Sequence, residues 1–151
     1  MPFLRLVPAL LVVVSLGSAL LRADDEFSWY AAQARELVAE GDYIEAEEYC
    51  QRLLRYGSND PNVVGALIDS QQAIGKYDEA AKTASAAAKA FEGYFPIQVQ
   101  AIHALRTGGK DEEARAVLGE LNKLAKAANP KTLNATELVA LGEAALLLGG
   151  E

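Results

Sequence analysis

Gly41-Asp42-Tyr43-Ile44-Glu45-Ala46, Gly75-Lys76-Tyr77-Asp78-Glu79-Ala80 and Gly109-Lys110-Asp111-Glu112-Glu113-Ala114 are three versions of one hexapeptide, with glycines 34 residues apart on both occasions. A fixed period of this size marks a stack of supersecondary units. Before each glycine runs a stretch with helical apolar spacing, such as Tyr30, Leu37 and Val38, or Val64, Leu67, Ile68 and Ile74. After it runs a second, alanine-rich one. Each unit is therefore expected to be helix, tight turn, helix, with glycine supplying the left-handed residue that ends the first helix. The alanine five residues on is small enough for two antiparallel helices to approach closely, and Tyr43 and Tyr77 can lay a ring across the turn. One such hairpin cannot bury its apolar face alone, so stability comes from stacking neighbours, and about three units are needed.

The links between units carry helix-start signals. Asn59-Asp60-Pro61 offers a cap and a proline at the first helical position, Pro96 does the same for the third unit, and Asn134-Ala135-Thr136-Glu137 reads as a capping box. The spacing predicts helices at 24–40, 43–56, 61–74, 77–91, 95–108, 111–127 and 135–148.

In unit length and turn pattern residues 27–151 resemble the tetratricopeptide repeat family. Tyr30 stands at that family's first large position, Ala46 and Cys50 at its later alanine and aromatic positions, and its Leu-Gly pair survives as Leu141-Gly142. Gln33-Ala34, Leu67-Ile68 and Ala101-Ile102 replace that pair elsewhere, and the third unit lacks the turn tyrosine. The resemblance implies an all-α, right-handed superhelical solenoid of antiparallel helix pairs. Its domain would span 24–151, with units at 27–60, 61–94 and 95–128 and a partial fourth at 135–151 that places Gly149 at a turn. The helix of this partial unit, with Leu138, Val139, Leu141, Leu146, Leu147 and Leu148, is apolar on most faces. An outermost helix needs a polar face, so a further domain or a partner subunit is expected on it.

The first residues have a different character. Met1 to Arg5 is a short positive start, Leu6 to Leu21 is an uncharged apolar run, and small residues stand at Gly17-Ser18-Ala19 and Ala23. This is the layout of a secretory signal peptide over 1–23, with an uncleaved membrane anchor as the alternative. The expected location is outside the cytoplasm, periplasmic or secreted. The single cysteine, Cys50, has no intramolecular disulfide partner and is expected to be a buried apolar residue; Glu47 and Glu48 beside it oppose a thiolate. Without Arg5 and Arg22 the chain keeps 12 basic against 21 acidic side chains. Nucleic acid is excluded as a partner, and a membrane would be met only through the N-terminal segment.

In tetratricopeptide arrays the first helices of successive units line a concave groove. Six residues before the turn glycines stand Arg35, Asp69, His103 and Glu143; three before stand Val38, Gln72, Arg106 and Leu146; thirteen before stand Ser28, Asn62, Pro96 and Thr136. The candidate partner-binding residues are Arg35, Asn62, Asp69, Gln72, His103, Arg106 and Glu143, hydrogen-bonding an extended or helical peptide, with Ala31 and Gly65 leaving room for its backbone. The same rows are equally the solvated face of amphipathic helices. The Lys and Asn clamp with which some family members hold a C-terminal carboxylate is absent, its places being taken by Arg35, Ala31 and Gly65.

His103 is the only histidine, and Asp69 and Glu143 stand one repeat away on either side, so neither a metal site nor a catalytic triad is expected. No cofactor is implied. The expected function is a non-catalytic protein- or peptide-binding scaffold; the alternative is the non-catalytic N-terminal repeat region of a longer exported enzyme or of a cell-envelope assembly.

Overall fold

The computed structural model describes residues 29–149, and the predicted signal segment 1–23 lies outside them. In chain order the described helices are α1 (29–40), α2 (Tyr43–Arg55), α3 (Pro61–Ala73), α4 (Tyr77–Ala90), α5 (Phe95–Thr107), α6 (Asp111–Ala127) and α7 (Ala135–Gly149), with a short 3-10 turn at Pro130–Thr132. Among the described residues there is no strand. The architecture is the expected all-α stack of helix pairs, and the helix ends from residue 43 onward agree with the sequence periodicity to within one residue. α7 runs through to Gly149, and the turn expected there falls beyond the described residues.

The turn glycines close the units for the reason anticipated. Gly41, Gly75 and Gly109 have φ of 88°, 79° and 69°. At each, the residue after the glycine donates its N–H to a carbonyl five residues back, as in Asp42 to Leu37 (3.0 Å), Lys76 to Gln71 (2.8 Å) and Lys110 to Leu105 (2.8 Å). The glycine itself donates to the carbonyl three residues back. These paired bonds satisfy the last carbonyls of the first helix and turn the chain back. Of the two turn tyrosines, Tyr43 is half-buried and Tyr77 leaves 47% of its surface in solvent.

Ala46, Ala80 and Ala114 are buried, as the approach of two helices requires. The core they join is segmented. One cluster unites Ala34, Cys50 and Leu53 with Val63 and Leu67, a second unites Ile68 and Ala84 with Ile97, Ala101 and Leu105, and a third unites Phe95, Ile102 and Leu121 with Ala140 and Ala144. Every cluster straddles a unit boundary, so neighbouring units stabilise one another.

The two boundaries are built differently. Between units one and two, the buried carboxylate of Glu47 on α2 receives Lys76 Nζ at 2.7 Å from the next turn, and Gln51 Nε2 at 3.2 Å. Between units two and three the position equivalent to Glu47 is Ala81, and it lies against Gly108 at the end of α5. A Cβ at Gly108 would stand 2.8 Å from the Cβ of Ala81 and 3.0 Å from the carbonyl oxygen of Tyr77.

The caps also follow the sequence. Asp60 accepts from the Asn62 N–H at 2.8 Å ahead of Pro61. Asn134 and Glu137 cap reciprocally, Glu137 N–H donating to Asn134 Oδ1 at 2.9 Å and Asn134 N–H to Glu137 Oε2 at 3.0 Å. Pro96 is the second residue of its helix rather than the first. The buried Gln98 Nε2 donates to the Ala88 and Phe91 carbonyls at 2.8 and 2.9 Å, tying the end of α4 to α5.

Candidate functional site: a concave groove along the first helices

α3 packs directly on α5, and α5 on α7, so the first helices of successive units form one continuous wall. Two depressions open on it. The smaller, about 190 Å³, is bordered by Arg35 and Val38 of α1, Asn62 and Gly65 of α3, and Pro96 of α5. The larger, about 630 Å³, is bordered by Gln72, Val99, His103, Val139 and Glu143. Asp69, Pro96, Gln100 and Thr136 belong to both, which makes them one groove.

Six of the seven candidate residues line it: Arg35, Asn62, Asp69, Gln72, His103 and Glu143. Arg106 is exposed on α5 but borders neither depression. Asn62 is partly engaged already, its Nδ2 donating to Asp60 Oδ1 at 2.8 Å.

The expectation that Ala31 and Gly65 leave room for a ligand backbone is corrected. Ala31 is in the core, and the space above Gly65 is filled by Gln100, whose Oε1 would stand 2.8 Å from a Cβ placed on that glycine. Gln100 Nε2 donates to the Gly65 carbonyl at 2.9 Å and to Asp69 Oδ1 at 2.6 Å. Gln100 is thus a groove residue that the rows passed over. Nine before the turn glycines the other units have Ala32, Ala66 and Ala140, and a glutamine among alanines one helix away from a mid-helix glycine was the available signal.

Asp69 is open to water on one side yet sits at the centre of a concave surface. Partial desolvation there pushes its carboxyl above the usual carboxylate range, opposed by the hydrogen bond from Gln100. The raised value has a sign that can be checked. The folded chain holds this proton more tightly than the unfolded chain, so the stability it contributes is fully present below the unfolded pKa of about 3.9 and is lost as pH rises through the folded value. Asp69→Asn removes the titration, so the melting temperature of the variant relative to the parent is expected to climb between pH 4 and pH 7. A difference that stays flat across that range excludes the desolvated carboxylate.

Cys50 is fully buried and burial alone pushes its thiol up to about 12, so it is no nucleophile at neutral pH. The neighbouring Glu47 does not oppose the thiolate, because its charge is committed to Lys76. Among the described residues no three His, Cys, Asp or Glu side chains gather as a metal site requires. A further cavity of about 660 Å³ lies between α4 and α6 on the side of the second helices, walled by Ala88, Val117 and Leu124. None of the seven candidate residues borders it, and six of them gather on the concave face, so the concave groove is the stronger candidate.

Fold and groove together define the class: a stacked helical-hairpin array with an open polar face and no reactive centre among the described residues. Residues 37–104, from the last turn of α1 to near the end of α5, match the tetratricopeptide repeat family. A comparison with curated protein sequences gives no match. Solved structures share the fold. PcrH in complex with the chaperone binding region of PopB superposes with a TM-score of 0.66 at 17% identity, covering 82% of this chain and 94% of that one. PcrH with the corresponding region of PopD gives 0.66 at 17%, covering 84% and 91%. The Yersinia enterocolitica type III secretion translocator chaperone SycD gives 0.58 at 22%, covering 82% and 95%.

Proposed function

We propose that this protein is a non-catalytic scaffold that holds a segment of a partner protein in the concave groove of its first helices. The observation that carries the reading is the convergence of Arg35, Asn62, Asp69, Gln72, His103 and Glu143 on one continuous surface. The fold is shared with PcrH, which was crystallised holding peptide regions of PopB and PopD. An exported location is part of the proposal, resting on the positive start Met1 to Arg5 and the apolar run Leu6 to Leu21. A second binding surface is favoured by α7, where Leu138 and Leu146 leave 42% and 78% of their surface exposed; a further domain or subunit, of an exported enzyme or an envelope assembly, would cover them.

The test uses twelve-residue peptides selected by the full chain from a displayed random library. Arg35→Ala combined with Asp69→Ala is expected to weaken the selected peptides at least about tenfold, the scale at which central polar contacts contribute. Lys89→Ala with Glu92→Ala, at the cavity between α4 and α6, is expected to leave binding unchanged. Equal loss from both pairs, or loss only from the second, sinks the groove.

A further inference from the structure

The groove is electrically uneven. The full charges bordering the larger depression are Asp69 on α3 and Glu143 on α7; among the described residues no lysine or arginine borders it. His103 of α5 lies in the same row, and apolar surface is supplied by Pro96, Val99 and Val139. Glu143 makes no hydrogen bond or ion pair among the described residues, and Asp69 receives one bond, from Gln100, on Oδ1. The smaller depression instead carries Arg35 at its far end.

Resting on the groove reading above, we propose that the larger depression receives a lysine or arginine side chain of the bound segment, its cationic head at Glu143 and its methylenes on Val99 and Val139. Long cationic side chains bury their stems on apolar surface while the head seeks opposite charge. The chain as a whole carries −7, which steers cationic segments toward it. Arg35 repels the same cation from the other end, which favours the larger depression for it. Asp69, on the opposite wall of the same depression, adds a second negative charge that draws the cation in at longer range.

The library selection reads this directly when it is repeated with Glu143→Gln and Glu143→Lys. Glu143 is exposed on α7, so both variants are expected to keep parental helicity by circular dichroism. Parental selections should share a lysine or arginine at one aligned position, and replacing it with uncharged norleucine should weaken binding about tenfold. Glu143→Gln should lose most of that tenfold preference, and Glu143→Lys should select aspartate or glutamate at the same position. Peptides that depend on Arg35 and Asp69 but carry no aligned cation, or that tolerate norleucine, overturn this inference and leave the groove reading standing. If no peptide is selected, or none depends on the groove variants, the groove reading fails and this inference falls with it.

Discussion

Replacing Leu105 with alanine is expected to lower the free energy of unfolding by about 3 kcal/mol, within the range for fully buried leucines in rigid cores. Leu105 has no exposed surface, and its cluster draws Ile68 from α3, Ala81 and Ala84 from α4, and Ala114 from α6. The void would therefore open where units two and three meet, not inside one hairpin. Alanine-rich neighbours have few side-chain atoms with which to fill it, which argues against relaxation. Urea unfolding followed at 222 nm gives the number. A drop in the denaturant slope alongside the midpoint would show the third unit separating from the second. A loss under about 1 kcal/mol would mean that the boundary tolerates a cavity and that the core is not segmented as described.

A second large effect has an unusual sign. Gly108 has a helical φ of −80°, where glycine-to-alanine changes ordinarily stabilise by about 0.4–1 kcal/mol. Here Gly108→Ala is expected to destabilise by about 2 kcal/mol, because the new methyl meets the Cβ of Ala81 and the carbonyl oxygen of Tyr77. Neither is the far end of a flexible side chain, so the helices themselves must part. Ala81→Gly in the same chain removes one of the two obstacles, and a double-mutant cycle should return a coupling energy that recovers part of the loss. Simple additivity, or a stabilised Gly108→Ala, would show that α4 and α5 are not in close contact there.

The fold was legible in the sequence because its decisive residues recur. Gly41, Gly75 and Gly109 meet a backbone need that only glycine meets without strain, and their 34-residue spacing separates that need from chance. Gly57 shows what happens without recurrence. It has φ of 90° and closes α2 with the same pair of bonds, Ser58 N–H to Leu53 and Gly57 N–H to Leu54, both 3.1 Å. One period later stands Phe91, so nothing in the repeat singled Gly57 out.

The groove was legible in part for the same reason. Rows at fixed offsets from the turns gave Arg35, Asp69, His103 and Glu143 a common face. They could not give the destination of a long side chain. Gln100 reaches across to Gly65 because a gap exists on the neighbouring helix, and a gap is a property of two helices at once. Glu47 escaped for a related reason: on its own helix it reads as one acid among several, and the charge that compensates its burial comes from Lys76 of the next unit.

Glu47 and Ala81 hold equivalent places at successive joints, and the joints differ in character. At the second, α4 and α5 approach so closely that Gly108 leaves no room for a methyl group, a contact that carries no charge. At the first, a pair of opposite charges, one buried and one half in water, adds to the apolar packing of Cys50 and Leu53 on Val63 and Leu67. Salt therefore has a charge pair to act on at the first joint and none at the contact of the second. Arg35 and Val38, the only described groove walls before the first joint, border the smaller depression. Ionic strength is thus felt at the joint beside the Arg35 end of the groove rather than at the contact nearer its other end.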